Sequence, residues 1–388
     1  MKFSPFLLAL AVVGAGCGTP SMGSDMGRTD MDRADMPAPP ADAEVGPSVA
    51  ATDPMDITPS GSAPPWGPTI DPQMLAVIER LGAYEQPPFT EMTPFQVRNG
   101  KLPAEAVASL LMRTGLPPSS PAVDIGHRIL PVSTDDGVLV RTYTPLDAGP
   151  GPLPVVVYYH GGGWVIADLD TYEPSARALA EKAGAIVVSV AYRQAPDVVY
   201  PAFHEDSYAA YDWVTKNAAE LGGDPDRIAT AGESAGGNLS VAVALMAQER
   251  GGRVPDAVVS VYPIADGDVE SESYERYANA VPLSRGFMEW FFDYATPDWR
   301  TQDYEYVDLT ARDYSGFPPT TVINAEIDPL QSEGGELADR MRAAGVDVVR
   351  EVYPGVTHEF FGMAAVLEQA VNAQALAVDR LKEAFGTM

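Results

Sequence analysis

Cysteine is nearly absent from this chain. Cys17 is the only one in 388 residues, so no intrachain disulfide can form and stability must come from packing. Basic residues are scarce as well: Lys and Arg total 25 against 54 Asp and Glu, a formal net charge of −29. Binding to nucleic acid needs clustered cations to neutralise phosphates, and that class is excluded; the acidity reads as a solvated surface. No apolar run reaches the roughly 20 residues that span a bilayer. Histidine is limited to His127, His160, His204 and His358. Any chemistry that needs an imidazole therefore has few candidates.

The N-terminus has the layout of an export signal. Lys2 precedes the apolar stretch Phe6-Leu7-Leu8-Ala9-Leu10-Ala11-Val12-Val13, and the small residues Gly14-Ala15-Gly16 lead to Cys17. A cysteine there is where a bacterial lipoprotein signal places the residue that is lipidated after cleavage. The expectation is a leader over residues 1–17 and an exported lipoprotein of the bacterial cell envelope, held to a membrane by lipid on Cys17. An ordinary secretory cleavage, giving a secreted or periplasmic protein, is the alternative. Residues 18–72 are rich in Met, Asp, Pro, Gly and Ser, too poor in apolar side chains to offset ordering entropy, and read as a disordered linker. Its Met-Asp pairs read as solvated tether, not as metal ligands.

Periodic structure is expected from residue 73 to 388. Two helical segments, Pro72–Leu81 and Pro103–Arg113, precede strands at His127–Val132 and Val138–Tyr143. Apolar strands then alternate with helices. The strands are Pro154–Tyr159, Ala185–Val190, Arg227–Ala231, Ala257–Tyr262, Thr320–Asn324 and Val346–Tyr353. The helices are Tyr172–Lys182, Glu205–Ala219, Ala235–Arg250, Glu333–Ala344 and Ala364–Ala384. This pattern predicts an α/β fold: an eight-stranded, mostly parallel sheet covered by helices on both faces, with the opening strands antiparallel. An insertion at about 268–313 contains a helix capped by Ser284, with Phe287, Trp290, Phe291 and Tyr294 on one stripe. It and the N-terminal helices (73–122) are expected to form a helical cap.

Gly232-Glu233-Ser234-Ala235-Gly236 lies between a buried strand and a helix, the setting of a nucleophile elbow. Glycines two positions either side give room for a sharp turn that pushes the Ser234 hydroxyl into the open. A serine needs a base, and the base needs a carboxylate to fix its tautomer. His358 follows the last strand, at the sheet edge where the elbow opens. His127 and His204 read as structural, with His204 opening a surface helix. Asp328 and Glu326 compete for the acid on the turn after Thr320–Asn324. The glycines of His160-Gly161-Gly162-Gly163-Trp164 follow a strand, so the N–H groups of Gly161 and Gly162, with that of Ala235, can face a developing alkoxide. His160, Gly163, Trp164 and Glu233 are expected around the site or the substrate pocket.

The ensemble of His160–Trp164, Tyr192-Arg193-Gln194-Ala195-Pro196, Gly232–Asn238, Asp328-Pro329-Leu330 with Glu333-Gly334, and His358 resembles the bacterial hormone-sensitive-lipase-like esterases (family IV) of the α/β-hydrolase superfamily. The resemblance spans about residue 73 to the C-terminus. It implies an α/β-hydrolase fold, a triad of Ser234, Asp328 and His358, an oxyanion hole at Gly161, Gly162 and Ala235, and no metal or organic cofactor. It also implies esters of short to medium acids as substrates. Glu233 stands where Asp is common, and Asp197-Val198-Val199-Tyr200 replaces the usual Glu-His-x-Phe; both bear on preference. An amidase, lactonase or deacetylase, or a longer-chain lipase, would use the same triad, and a non-catalytic surface binding protein is the alternative of another class.

Overall fold

The computed structural model describes residues 57–114 and 122–388. The expected leader, Cys17, and most of the expected linker lie outside the described residues. The linker boundary at residue 72 is corrected by what precedes it. Glu79 accepts hydrogen bonds from the backbone of Ser60 and Gly61 at 2.7 and 2.6 Å, and Trp66 packs on the core. Residues 57–71 therefore belong to the folded domain: a few polar anchors tie down a stretch whose composition alone reads as solvated.

The N-terminal helices are α1 (Pro72–Gly82), α2 (Pro94–Arg98) and α3 (Pro103–Thr114). Asp71 caps α1 by accepting from the N–H groups of Gln73 and Met74, and Pro72 suits the first turn. The sheet strands are β1 (Val123–Leu130), β2 (Val138–Pro145), β3 (Leu153–Tyr159), β4 (Ile186–Ala191), β5 (Gly223–Glu233), β6 (Val258–Val261), β7 (Thr320–Ile327) and β8 (Val348–Thr357). Between and after them run α4 (Glu173–Ala183), α5 (Ala202–Asn217), α6 (Ala235–Glu249), α7 (Glu272–Arg276), α8 (Arg285–Ala295), α9 (Gln331–Ala343) and α10 (Glu368–Phe385).

The strand order is β1-β2-β4-β3-β5-β6-β7-β8, with β2 antiparallel to both neighbours and the remaining pairs parallel. From β3 the chain moves to β4 on one side and to β5 on the other. The order reverses there, and loops leaving β3 and β5 diverge to open a crevice at their carboxyl ends. That is where the glycine-rich loop and Ser234 are found. β3 and β4 are buried along nearly their whole length, as expected for strands covered on both faces.

Several element bounds differ from expectation. β1 begins at Val123, four residues before His127, because its partner β2 offers a ladder as far as Pro145. β8 runs on to Thr357 through a register shift against β7, which places His358 directly at the strand end. The last helix starts at Glu368 after a 3-10 turn at Phe360–Met363, whose aromatic side chains are drawn into the core.

In the insertion, Ser284 accepts from the Phe287 N–H at 3.1 Å and so caps α8. One face of α8 meets the N-terminal segment: Phe287 packs on Phe89 with ring centroids 5.0 Å apart, and the Trp290 indole donates to the Met92 carbonyl at 3.2 Å.

Candidate active site

β5 ends at Glu233 and α6 begins at Ala235, so Ser234 makes the whole turn alone, with φ 58° and ψ −119°. Such a backbone is strained for a residue with a side chain. The turn closes only because its flanks are bare: a Cβ on Gly232 would lie 2.1 Å from the Gly236 carbonyl oxygen, and one on Gly236 would lie 1.9 Å from that of Tyr159. The Ser234 N–H donates to Val261 at 2.8 Å, fixing the elbow to the sheet.

Sheet register brings in the other two side chains. Ile327 of β7 pairs with Thr357 of β8, so the residues that follow, Asp328 and His358, leave adjacent strand ends together. His358 Nδ1 lies 2.7 Å from Asp328 Oδ2, and its Nε2 lies 2.8 Å from Ser234 Oγ. A carboxylate only accepts, so the proton sits on Nδ1 and Nε2 faces the hydroxyl as an acceptor. Asp328 is itself fixed, Oδ1 accepting from the Leu330 N–H at 2.9 Å. Burial alone would lower the His358 pKa, but Asp328, and then Glu359 and Glu233, more than offset it, and the net shift is upward from 6.5. Glu326, the competing acid, points elsewhere: it accepts from Thr69 and from the Gly355 N–H at 2.8 and 2.7 Å.

The glycine-rich loop faces the same crevice. Among the described residues, no backbone or side-chain acceptor engages the N–H groups of Gly161 and Gly162. That of Ala235 is one of the first-turn donors of α6, which have no intrahelical partner. His160 turns inward, donating from Nδ1 to the Gly161 carbonyl at 2.8 Å and stacking on Tyr192 at 4.4 Å. Desolvation drops its pKa to about 4, so it stays neutral and acts as a brace for the loop. Trp164 is fully buried against Phe203, their ring centroids 5.3 Å apart. Of the four residues expected around the site or pocket, Gly163 and Glu233 border the cavity beside Ser234, while His160 and Trp164 pack behind it.

His204 corrects an expectation. It is completely buried, not on a surface helix, and its Nε2 lies 2.9 Å from Asn238 Oδ1. Asn238 spends its own amide hydrogens on the Ile264 and Val307 carbonyls, so His204 is the donor. The pair ties α5 to the first turn of α6. His127 is engaged by Arg141 near the surface.

Two acidic side chains border the cavity. Glu233 is buried and accepts hydrogen bonds from the Tyr158 and Tyr262 hydroxyls. Desolvation raises its pKa to about 7, despite those donors. Glu359, which no motif in the sequence singles out, accepts from the Tyr172 hydroxyl at 2.6 Å and is also raised by desolvation. The signal that could have found it is position alone, next to His358. Around these groups the wall is apolar, with Phe89, Leu102, Val107, Phe287, Phe291 and Met363 enclosing a cavity of about 90 Å³. Among the described residues, no three His, Cys, Asp or Glu side chains are grouped so as to hold a metal ion.

A family model for the α/β-hydrolase fold matches residues 156–362. The carboxylesterase NlhH of Mycobacterium tuberculosis is 40% identical over 288 residues, covering 72% of this chain and 89% of that one. The ethyl acetate hydrolase of Pseudomonas putida is 34% identical over 259 residues, covering 66% and 81%. Among solved structures, the hyperthermophilic esterase from Pyrobaculum calidifontis aligns with a TM-score of 0.73 at 33% identity, over 81% of this chain and 98% of that one. Motifs, strand order and relatives agree: this chain belongs to the hormone-sensitive-lipase-like esterases of the α/β-hydrolase superfamily and is a carboxylic ester hydrolase.

Proposed function

We propose that the chain hydrolyses small acyl esters through an acyl-enzyme on Ser234. The hydroxyl attacks the ester carbonyl while His358 Nε2 takes its proton, and Asp328 stabilises the imidazolium. The N–H groups of Gly161, Gly162 and Ala235 receive the negative oxygen, each such donor contributing roughly 3–4 kcal/mol to the transition state. His358 returns the proton to the departing alcohol, and water then releases the acid. The observation that carries this reading is the pair of contacts made by one imidazole, 2.8 Å to Ser234 and 2.7 Å to Asp328.

Acyl groups of short to medium length are the preferred acids. The cavity beside Ser234 is apolar, and Phe287 and Phe291 close it on one side, which limits the chain it can take. The name of the ethyl acetate hydrolase relative supports the same choice. Ser234→Ala should abolish hydrolysis of p-nitrophenyl butyrate in a folded protein, and an acyl series should peak at or below hexanoate. Retained turnover sinks the mechanism; a peak at long chains sinks the size assignment.

The leader and Cys17 support a lipid anchor in the cell envelope. Intact mass of the protein from bacterial membranes tests it, since a diacylglyceryl adduct is lost in Cys17→Ser.

A further inference from the structure

We propose that Glu359 holds the water that cleaves the acyl-enzyme. The proposal rests on the Ser234–His358–Asp328 reading above. Glu359 has φ 73° and ψ 2°, a left-handed conformation uncommon for a residue with a side chain. This backbone accompanies a carboxylate set close beside the preceding imidazole: Oε1 lies 3.9 Å from His358 Nε2. The Tyr172 hydroxyl fixes that same oxygen at 2.6 Å. Tyr172 is wedged in turn against the oxyanion loop, where a Cβ on Gly161 would fall 2.2 Å from its hydroxyl oxygen. The carboxylate is thus anchored at the edge of the cavity that Ser234 opens into.

Nε2 is the atom through which every proton of the reaction passes. Two acceptors 3.9 Å apart can be bridged by one oxygen making two hydrogen bonds of ordinary length, about 2.8 Å each. In deacylation, one water hydrogen goes to Nε2 and the oxygen attacks the acyl carbon. The second hydrogen stays on the water oxygen and is donated to Glu359. The tetrahedral intermediate collapses with cleavage of the carbon–Oγ bond, His358 returns its proton to Ser234, and the acid departs. A charge effect on the imidazole alone would change acylation and deacylation alike; a hydrogen bond to the second hydrogen of water changes only the second step.

Methanol separates the two. It carries one O–H, which His358 takes, and has none left for Glu359. With p-nitrophenyl butyrate in a water–methanol mixture, the ratio of methyl butyrate to butyrate reports how the acyl-enzyme partitions, independent of total activity. Glu359→Ala should raise that ratio about tenfold, the effect of losing one hydrogen bond. Glu359→Gln keeps an acceptor oxygen and should restore much of the parental ratio. An unchanged ratio in both variants overturns the proposal, as does a parallel fall of acylation and deacylation. Failure of a fluorophosphonate to label Ser234 in the parent would instead defeat the underlying mechanism.

Discussion

Replacing Asp328 with Asn changes one atom in a fully buried site, and its effect can be worked from two hydrogen bonds. Asp328 Oδ2 holds His358 Nδ1 at 2.7 Å while Oδ1 accepts from the Leu330 N–H at 2.9 Å. An Asn that keeps its oxygen toward Leu330 turns its NH₂ toward Nδ1. The imidazole must then carry its proton on Nε2, where it is a donor and cannot take the proton of Ser234. The opposite flip restores the useful tautomer but faces NH₂ against the Leu330 N–H in a fully buried site. Leaving such donors unpaired costs about 1–3 kcal/mol, so roughly a tenth to a hundredth of molecules are competent. Those molecules also lack the negative charge that stabilises the imidazolium. Together the losses come to about 10³–10⁴ in kcat/KM, the size seen for this change in a Ser-His-Asp hydrolase. Hydrolysis of p-nitrophenyl butyrate at pH 8, with circular dichroism and a thermal midpoint as controls for folding, measures it. A loss of less than tenfold in a folded variant would refute the assignment of Asp328 as the group that sets the tautomer.

Other outcomes follow from the same geometry. His358 must be neutral to act as a base, and its pKa is raised above 6.5, so kcat/KM should fall on the acid side with a midpoint above pH 6.5; a midpoint below 6 contradicts the electrostatics. Gly236→Ala would gain about 1 kcal/mol of helix propensity but set a Cβ 1.9 Å from the Tyr159 carbonyl oxygen. Backbone on both sides cannot yield cheaply, so a net destabilisation of about 2 kcal/mol in urea unfolding and loss of activity are expected; an equally stable, active variant refutes the packing argument. Phe291→Ala removes a ring that borders the cavity and packs at a tilt on Phe287, with centroids 4.3 Å apart. It should raise the octanoate-to-butyrate ratio of kcat/KM about tenfold, and an unchanged ratio would show that α8 does not limit chain length.

Ser234, Asp328 and His358 could be located from sequence because each sits where a strand ends, and strand ends are marked by composition. An elbow also needs two bare positions around its serine, which leaves a visible spacing. The mostly parallel sheet and its antiparallel start followed from long and short connections in the same way, whereas the order of the strands did not. Contacts made across the fold left no such trace. Glu359 belongs to no periodicity, and its role depends on Tyr172, far away in the chain. His204 looked superficial because Glu205 and Asp206 follow it, yet Asp206 is itself buried beneath Arg193, which binds it at 2.7 Å. Polar neighbours signalled a surface where they had found partners instead. The same error set the linker boundary too late, since the side chain that holds Ser60 and Gly61 comes from α1.

Those early residues reach further than their own anchoring. The Asp71 N–H binds the Gly355 carbonyl at 2.7 Å, and Glu326 spans Thr69 and the Gly355 N–H. Gly355 lies three positions before the imidazole. A shortened version of the protein that starts at residue 72 would thus remove a splint from the strand that leads to His358, whereas one starting at 57 would keep it. Where a gene is cut for expression becomes a choice about the precision of the chemistry, made some 300 residues upstream of it.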